Sequence, residues 1–249
     1  MAGKPSTAAT AAIEDMTLRY GMLMRDDVVK IEIGPDHMEY FVHPGLLLEH
    51  SEYFNRALTG SWKEAAERAI ELDDVDCDTF EIFLEWLYTQ RYPKDNRFTD
   101  SFDSECASHL ARVKACEFGD RFLAAEFRRA SENALIDSLT VGLNTPWYTM
   151  IIYAFNHLPP NSPVLQAMID THCYSWKENS DNYGNGELQL RSLLPHSFLL
   201  GVALRYMRLQ HGRKKRLDRC DYHGHGPDDD RGDKCQVARV DEFNKRKAT

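Results

Sequence analysis

The sequence predicts an α+β protein: a few short strands near the start, followed by an all-helical second half. Three observations lead to this prediction. Apolar and polar residues alternate in two neighbouring segments between residues 29 and 42, and a third short apolar run covers residues 69–72. Elsewhere the apolar spacing is helical, and after about residue 140 no other spacing occurs.

The first two strands are predicted to form a hairpin. Apolar side chains alternate over Val29–Ile33 and again over Met38–Val42, and Gly34-Pro35-Asp36 between them is a turn signal. Each strand should therefore bury one face. Ala69–Leu72 is expected to add a third strand.

Two short helices are expected between the second and third strands. His43-Pro44-Gly45 ends the second strand and opens a helix through Leu46–Leu48, with His43 interpreted as a structural residue that satisfies backbone groups. Ser51 is placed to cap the next helix, which carries Tyr53 and Phe54.

The strongest helical pattern begins near residue 78. Asp78, with Glu81 three positions later, predicts an N-terminal cap, and Ile82 and Trp86 add a second apolar stripe to the first. The first stripe comprises Phe80, Phe83, Leu84, Leu87 and Tyr88. A helix that is apolar on most sides is expected to lie between other elements inside a domain.

Further helices are predicted around it and in the extension. One covers 107–118 and is expected to end at Gly119, and the next covers 123–134. Thr145-Pro146 and Ser162-Pro163 are cap-then-proline helix starts. Residues 177–187 are predicted to be a loop and Ser197–Gln210 the last helix.

A series of segments between residues 24 and 137 forms a specific pattern. They are Asp27-Val28 with the hairpin, His43-Pro44-Gly45-Leu46-Leu47, Ser51-Glu52-Tyr53-Phe54, Leu72-Asp73-Asp74, Phe80 to Thr89, and Cys116 to Leu123. In this order they resemble a BTB/POZ domain. The whole chain is similar to BTB proteins that are common in filamentous fungi.

The resemblance implies a three-stranded sheet packed on a cluster of helices. It also implies self-association, as a homodimer, or docking to a protein partner such as the cullin scaffold of ubiquitin ligases. The docking surface would include Tyr53, Phe54 and Tyr88. The long helix that precedes the first strand in many dimeric BTB domains is represented here only by Met16–Met24. No kelch repeats or classical zinc fingers follow, so partner choice is expected to lie in the extension.

Four regions are predicted on this basis. They are a tail at 1–23, a BTB/POZ domain at 24–139, a helical extension at 140–219 and a Cys/His-containing tail at 220–249.

Composition favours an intracellular interaction protein. A formal net charge of −9 argues against broad binding to nucleic acid, and no apolar run approaches the length of a membrane span. The six cysteines are spread along the chain rather than arranged as a dense disulfide framework, which indicates a reducing compartment. The signature motifs of hydrolases, nucleotide-binding enzymes and metalloproteases are absent from the sequence.

The end of the chain carries a possible metal site. Cys220, His223, His225 and Cys235 offer two thiolates and two imidazoles, a set that suits tetrahedral zinc. The alternative is a polar tail with incidental cysteines. The basic cluster at 213–216 is interpreted either as stabilising the end of the last helix or as an import signal.

The sequence thus leads to two principal hypotheses about function. In the first, a BTB adaptor docks a cullin-type scaffold while the extension holds a substrate. In the second, the chain is a scaffold that self-associates or binds one partner without any role in ubiquitin ligation. A metal-dependent enzyme is disfavoured, because four protein ligands would leave no open coordination position.

Overall fold

A computed structural model describes residues 27–93, 102–142, 145–182, 184–210 and 217–225. The elements in chain order are β1 (Val29–Ile33), β2 (Met38–Val42), α1 (Pro44–His50), α2 (Glu52–Thr59), α3 (Lys63–Glu67), β3 (Ala69–Leu72), α4 (Cys77–Thr89), α5 (Phe102–Arg121), α6 (Ala125–Gly142), α7 (Tyr148–His157), α8 (Pro163–Ser175) and α9 (His196–Gln210). Short 3-10 helices cover Leu188–Leu193 and Arg219–Asp221. The predicted helix at Met16–Met24 and the basic cluster at 213–216 lie outside the described residues.

The three strands form one sheet in the order β2-β1-β3. β1 pairs antiparallel with β2 and parallel with β3, so that Ile31 lies opposite both Tyr40 and Ile70. β1 buries Val29 and Ile33 together with Ile31. The predicted hairpin, the third strand and the α+β class are therefore confirmed.

The first hydrophobic core lies between the sheet and helices α1, α2, α4, α5 and α6. Phe83 of α4 is at its centre, with ring centroids of Phe118 and Phe127 at 4.9 and 5.1 Å. Ile82 and Trp86 of the second stripe are also buried. The prediction that α4 lies between other elements is confirmed.

Two predicted helix ends in this half were wrong. The cap of α4 is Asp76, which accepts a hydrogen bond from the Thr79 amide at 3.3 Å; Asp78 lies inside the first turn and cannot cap it. Helix α5 continues past Gly119 to Arg121. A Cβ on Gly119 would lie 2.7 Å from the Cα of Arg128, so this glycine serves the close approach of α5 and α6 rather than helix termination.

A second core lies among α5 to α9. Helices α5 and α6 contribute to both cores: Ala115 and Phe127 pack in the first, whereas Cys116 and Ile136 pack in the second. The boundary predicted at residue 139 falls within α6, whose C-terminal half belongs to the second core. The extension is therefore built on the helices of the first half rather than joined to them by a linker.

The extension follows the predicted order, with one exception at its start. Ser162 caps α8 as predicted, accepting from the Val164 amide at 3.3 Å. The Thr145-Pro146 start was wrong, because α7 begins at Tyr148. The Tyr148 amide donates instead to the carboxylate of Glu187 at 2.6 Å, so a distant residue supplies the cap. The described residues of 177–187 contain turns and no helix or strand, as predicted.

His172 of α8 is a buried histidine that makes the second core sensitive to acid. It is 7% exposed, its Nδ1 has no hydrogen-bond partner among the described residues, and burial lowers its pKa from 6.5 to about 4. A basic group whose pKa is lower in the folded chain than in the unfolded chain binds protons more readily in the unfolded chain. The folded protein therefore loses stability as the pH falls from the unfolded pKa towards the folded pKa. Between pH 7 and pH 5 this group should reduce the free energy of unfolding by about 2 kcal/mol.

The variant His172→Phe tests this expectation. The neighbouring rings of Phe198 and Trp176 provide an aromatic environment for phenylalanine. Urea unfolding at pH 7 and pH 5 should show a smaller stability loss in the variant than in the wild type. An equal loss in both proteins would assign the acid sensitivity to other groups.

Candidate functional site

The segment at Tyr53 and Phe54 divides into a surface residue and a core residue. Ser51 caps α2 and also donates from its hydroxyl to the Phe122 carbonyl at 2.6 Å, which fixes the segment against the α5–α6 corner. Phe54 is fully buried and stacks on Phe122 at 5.6 Å. Tyr53 is 37% exposed and packs its ring edge on Phe122. Phe54 therefore has no surface for a partner, which corrects its predicted contact role, whereas Tyr53 remains available.

The third predicted contact, Tyr88, is hydrogen-bonded to the junction between β2 and α1. Its hydroxyl accepts from the His43 amide at 3.2 Å and lies 2.8 Å from the His43 Nδ1. This agrees with a structural role for His43, although its ring contacts a side chain rather than the expected backbone groups. Tyr88 is half-buried, so its outer edge is what remains for a partner.

Leu123 adds an exposed apolar residue that the sequence did not indicate. It was expected to lie in a helix, but it forms the corner between α5 and α6 with a φ of 51°. Its amide donates to the Asp120 carbonyl at 3.2 Å, and its carbonyl accepts from the Glu52 amide at 3.4 Å. The side chain is 48% exposed. A non-glycine residue held in the left-handed region is uncommon and often marks a functional position.

A groove of about 380 Å³ lies beside this corner, between the α1–α2 junction and the start of α6. Leu123 and Arg56 line it together with three carboxylates, Glu49, Glu52 and Glu126. We call Tyr53, Leu123 and this groove the corner surface. It combines exposed apolar side chains with acidic ones, as protein interfaces commonly do.

Helix α9 carries a second exposed apolar surface. Its inner side packs Phe198 into the second core, and a Cβ on Gly201 would overlap Ile169 of α8. Its outer side carries Leu199, Leu200, Ala203, Leu204, Tyr206 and Met207, which helical spacing places on one face. The five large side chains are 40–52% exposed. We call these six residues the α9 face; a contiguous apolar patch of this kind marks an interaction surface.

Residues 217–225 form a strap on helix α6 rather than a loose loop. The Gly224 amide donates to the Asn133 side chain at 3.0 Å, and the Asn133 amide group donates to the Gly224 carbonyl at 3.2 Å. His223 Nε2 lies 3.0 Å from Asp137, and the Tyr222 hydroxyl donates to Asp170 at 2.6 Å. The described part of the Cys/His-containing segment is therefore held against the helices by Asn133, Asp137 and Asp170.

The predicted zinc ligands are only partly brought together. Cys220, His223 and His225 belong to the strap, with the two imidazole centroids 5.8 Å apart, whereas Cys235 lies outside the described residues. Within the described ranges, no group of three or more His, Cys, Asp or Glu side chains is arranged to hold a metal. The zinc site therefore stays a prediction, and His223 would have to exchange its contact with Asp137 for a metal.

No described helix is both long and apolar enough to cross a membrane. Comparison with curated proteins gives no match. The sequence model of the BTB/POZ domain family matches residues 21–110, which include the whole sheet and helices α1 to α4. The fold and the match agree with the resemblance seen in the sequence. The chain therefore contains a BTB/POZ domain, a protein-interaction module, and continues into a helical extension.

Proposed function

We propose that the protein is an intracellular two-surface adaptor. Its BTB/POZ domain docks a scaffold of the cullin class through the corner surface, and its extension holds a second protein on the α9 face. The observation that carries the proposal is the α9 face. A helix that fixes one side in a core and leaves six apolar residues on the other has a surface suited to a partner.

The α9 face fits an amphipathic helix with an acidic flank. The face covers residues 199–207 of α9, so it extends for about 13 Å along the helix and matches a partner helix of two to three turns. Burying one leucine fully contributes about 1.5–3 kcal/mol. Arg208 is exposed on the same helix. Its charge favours a carboxylate beside the apolar stripe of the partner.

The corner surface is chemically different from the α9 face. Tyr53 offers a large side chain with little conformational entropy to lose, and Leu123 stands on a fixed backbone corner. Its carboxylates Glu49 and Glu52 favour a basic partner surface. Two surfaces of unlike charge are expected to select two different proteins, as an adaptor requires.

Selective loss of one partner at a time tests the proposal. Tagged wild type, Tyr53→Asp, Leu204→Asp and the control Leu193→Asp would be purified from native extract and their partners identified by mass spectrometry. Leu193 is 60% exposed and belongs to neither surface. The wild type and the control should retain a cullin and a second protein. Tyr53→Asp should lose only the cullin, and Leu204→Asp only the second protein, each by at least about tenfold.

Two results would reject the adaptor. Absence of any cullin from the wild-type eluate removes the scaffold-docking half. Retention of every partner by Leu204→Asp removes the role of the α9 face. Circular dichroism of each variant confirms that the losses do not come from unfolding.

Self-association is the second candidate, favoured by the edge of the sheet. Within the described residues β2 pairs only with β1, and it exposes Phe41 and Met38 on this edge strand. Exposed edges with apolar residues pair readily with another strand. Light scattering of the 28.7 kDa chain should then give a dimer mass that Phe41→Asp converts to the monomer mass. A monomeric wild type at micromolar concentration would reject this candidate.

A further inference from the structure

A second groove, of about 680 Å³, lies between the end of α4, helix α6 and the strap. Its apolar part is formed by Trp86, Ala130 and Ala134. Its polar part includes three arginines, two histidines and two carboxylates. The groove is distinct from the corner surface, with which it shares only Glu126.

The two carboxylates in this groove already have partners. Asp137 lies 3.5 Å from a guanidinium nitrogen of Arg219 and 3.0 Å from His223 Nε2. Glu126 lies 3.4 Å from His50 Nδ1. Both carboxylates are therefore engaged by other side chains of the protein.

Two of the three arginines in this groove have no acidic partner among the described residues. Within the described part of the chain, the guanidinium groups of Arg91 and Arg129 have no hydrogen-bond or carboxylate partner, and the Nε of Arg129 is buried. The buried hydroxyl of Tyr92 is also without a partner. The strap packs along the stem of Arg129, because a Cβ on Gly224 would lie 3.3 Å from its Cγ. A buried donor without an acceptor is costly, so these groups are complementary to an anion.

We propose that this groove binds a phosphate group carried by a peptide of a partner protein. A phosphate monoester has close to two negative charges and three acceptor oxygens, which corresponds to the two guanidinium groups. A carboxylate would match only one of the two charges. This inference deepens the proposed adaptor function, on which it rests, by making partner capture dependent on phosphorylation.

The shape of the groove favours a peptide over a free anion. Its volume of about 680 Å³ is several times that of a phosphate group, so it has room for neighbouring residues of the ligand. Trp86, Ala130 and Ala134 offer apolar contacts to those residues. The guanidinium groups would contact the phosphate and the apolar part the flanking chain.

Fluorescence anisotropy with labelled peptide pools tests the proposal on the purified full chain. One pool has phosphoserine at the centre of random flanks, the matched pool has serine, and inorganic phosphate serves as competitor. The phosphoserine pool should bind at least about tenfold more tightly than the serine pool. Arg91→Ala and Arg129→Ala should each remove most of this preference, whereas Arg68→Ala, at an exposed arginine outside both grooves, should keep it.

The same titrations are repeated with Asp228→Asn/Asp229→Asn/Asp230→Asn, because these carboxylates follow His225 in the sequence and would compete for the arginines. Equal binding of both pools by this variant and by the wild type overturns the proposal. Loss of the preference in Arg68→Ala to the same extent overturns the assignment to this groove. Complete competition by inorganic phosphate at the peptide's own affinity would assign the site to free phosphate instead.

Because peptide binding is measured on the purified chain, its failure can be distinguished from failure of the proposed adaptor function. A protein that binds phosphoserine peptides but captures no cullin loses its adaptor role and keeps the groove. Arg91 is an exposed residue, so Arg91→Ala reports on binding even where Arg129→Ala affects folding.

Discussion

Replacing Phe83 with alanine is expected to lower the free energy of unfolding by about 3–5 kcal/mol. Phe83 is fully buried, and its ring lies within 6.5 Å of five other aromatic rings, at centroid distances from 4.9 to 6.4 Å. Those rings belong to Phe54, Phe80, Trp86, Phe118 and Phe127. They come from α2, α4, α5 and α6, so one deletion leaves a cavity that all four helices border.

Urea unfolding followed by circular dichroism measures this loss. Phe41→Ala is the matched control, because Phe41 is 62% exposed and should change stability by less than about 0.5 kcal/mol. Phe83→Leu keeps most of the volume and should cost about 1 kcal/mol. A Phe83→Ala variant as stable as Phe41→Ala would contradict the central place of this ring in the first core.

Much of the first half could be predicted because its signals are local. Alternation over Val29–Ile33 indicates the buried face of β1, and the structure reproduces both strands at the predicted bounds. In β2 the predicted face is only partly buried, because Met38 is 52% exposed. Ser51 caps α2 and Ser162 caps α8 for the same reason, since a cap bonds to an amide two or three residues away. Local hydrogen bonding of this kind can be inferred from spacing alone.

The errors occurred where a distant residue decides the local structure. Gly119 suggests a helix end, but its function is set by contact with Arg128 on the next helix. The amide at the start of α7 is capped by Glu187, 39 residues further along the chain. No window of sequence around Tyr148 contains that information.

The candidate surfaces show the same contrast between features decided by neighbouring residues and features decided by distant ones. The family resemblance predicted both Tyr53 and Phe54 as contacts, and the sequence does not show which of two adjacent aromatic residues in a helix packs in the core. The sequence predicted α9 only as the last helix, and the second core shows that its outer side lacks a neighbour among the described residues. The strap depends on Asn133, Asp137 and Asp170, which lie 50 to 90 positions earlier and could not be associated with it in advance.

Asp170 is the residue on which the second half is expected to depend most strongly. Its side chain is 8% exposed and connects three segments. It lies 2.8 Å from Arg205 of α9, accepts from the Tyr222 hydroxyl of the strap at 2.6 Å, and accepts from Gln166 within α8 at 3.1 Å. Burial, together with the hydrogen bond to Asp170, raises the pKa of Tyr222 and keeps its hydroxyl protonated as a donor.

Asp170→Ala should therefore lower the free energy of unfolding by about 3 kcal/mol, because it leaves the largely buried Arg205 charge and the Tyr222 hydroxyl without their acceptor. Tyr222→Phe removes one hydrogen bond and keeps the ion pair, so it should cost about 1 kcal/mol. Both values come from urea unfolding at pH 7.

A double-mutant cycle separates the ion pair from general damage to α8. If the loss comes from a stranded charge, then Asp170→Ala/Arg205→Met should be more stable than Asp170→Ala alone, because methionine fills the space of the arginine stem without a charge. If the double variant is less stable by the sum of the two single losses, the ion pair is not what joins α8 to α9. The packing of Gly201 against Ile169 would then be the principal contact between these helices. Nonpolar packing, rather than an ion pair, would then fix the position of the α9 face.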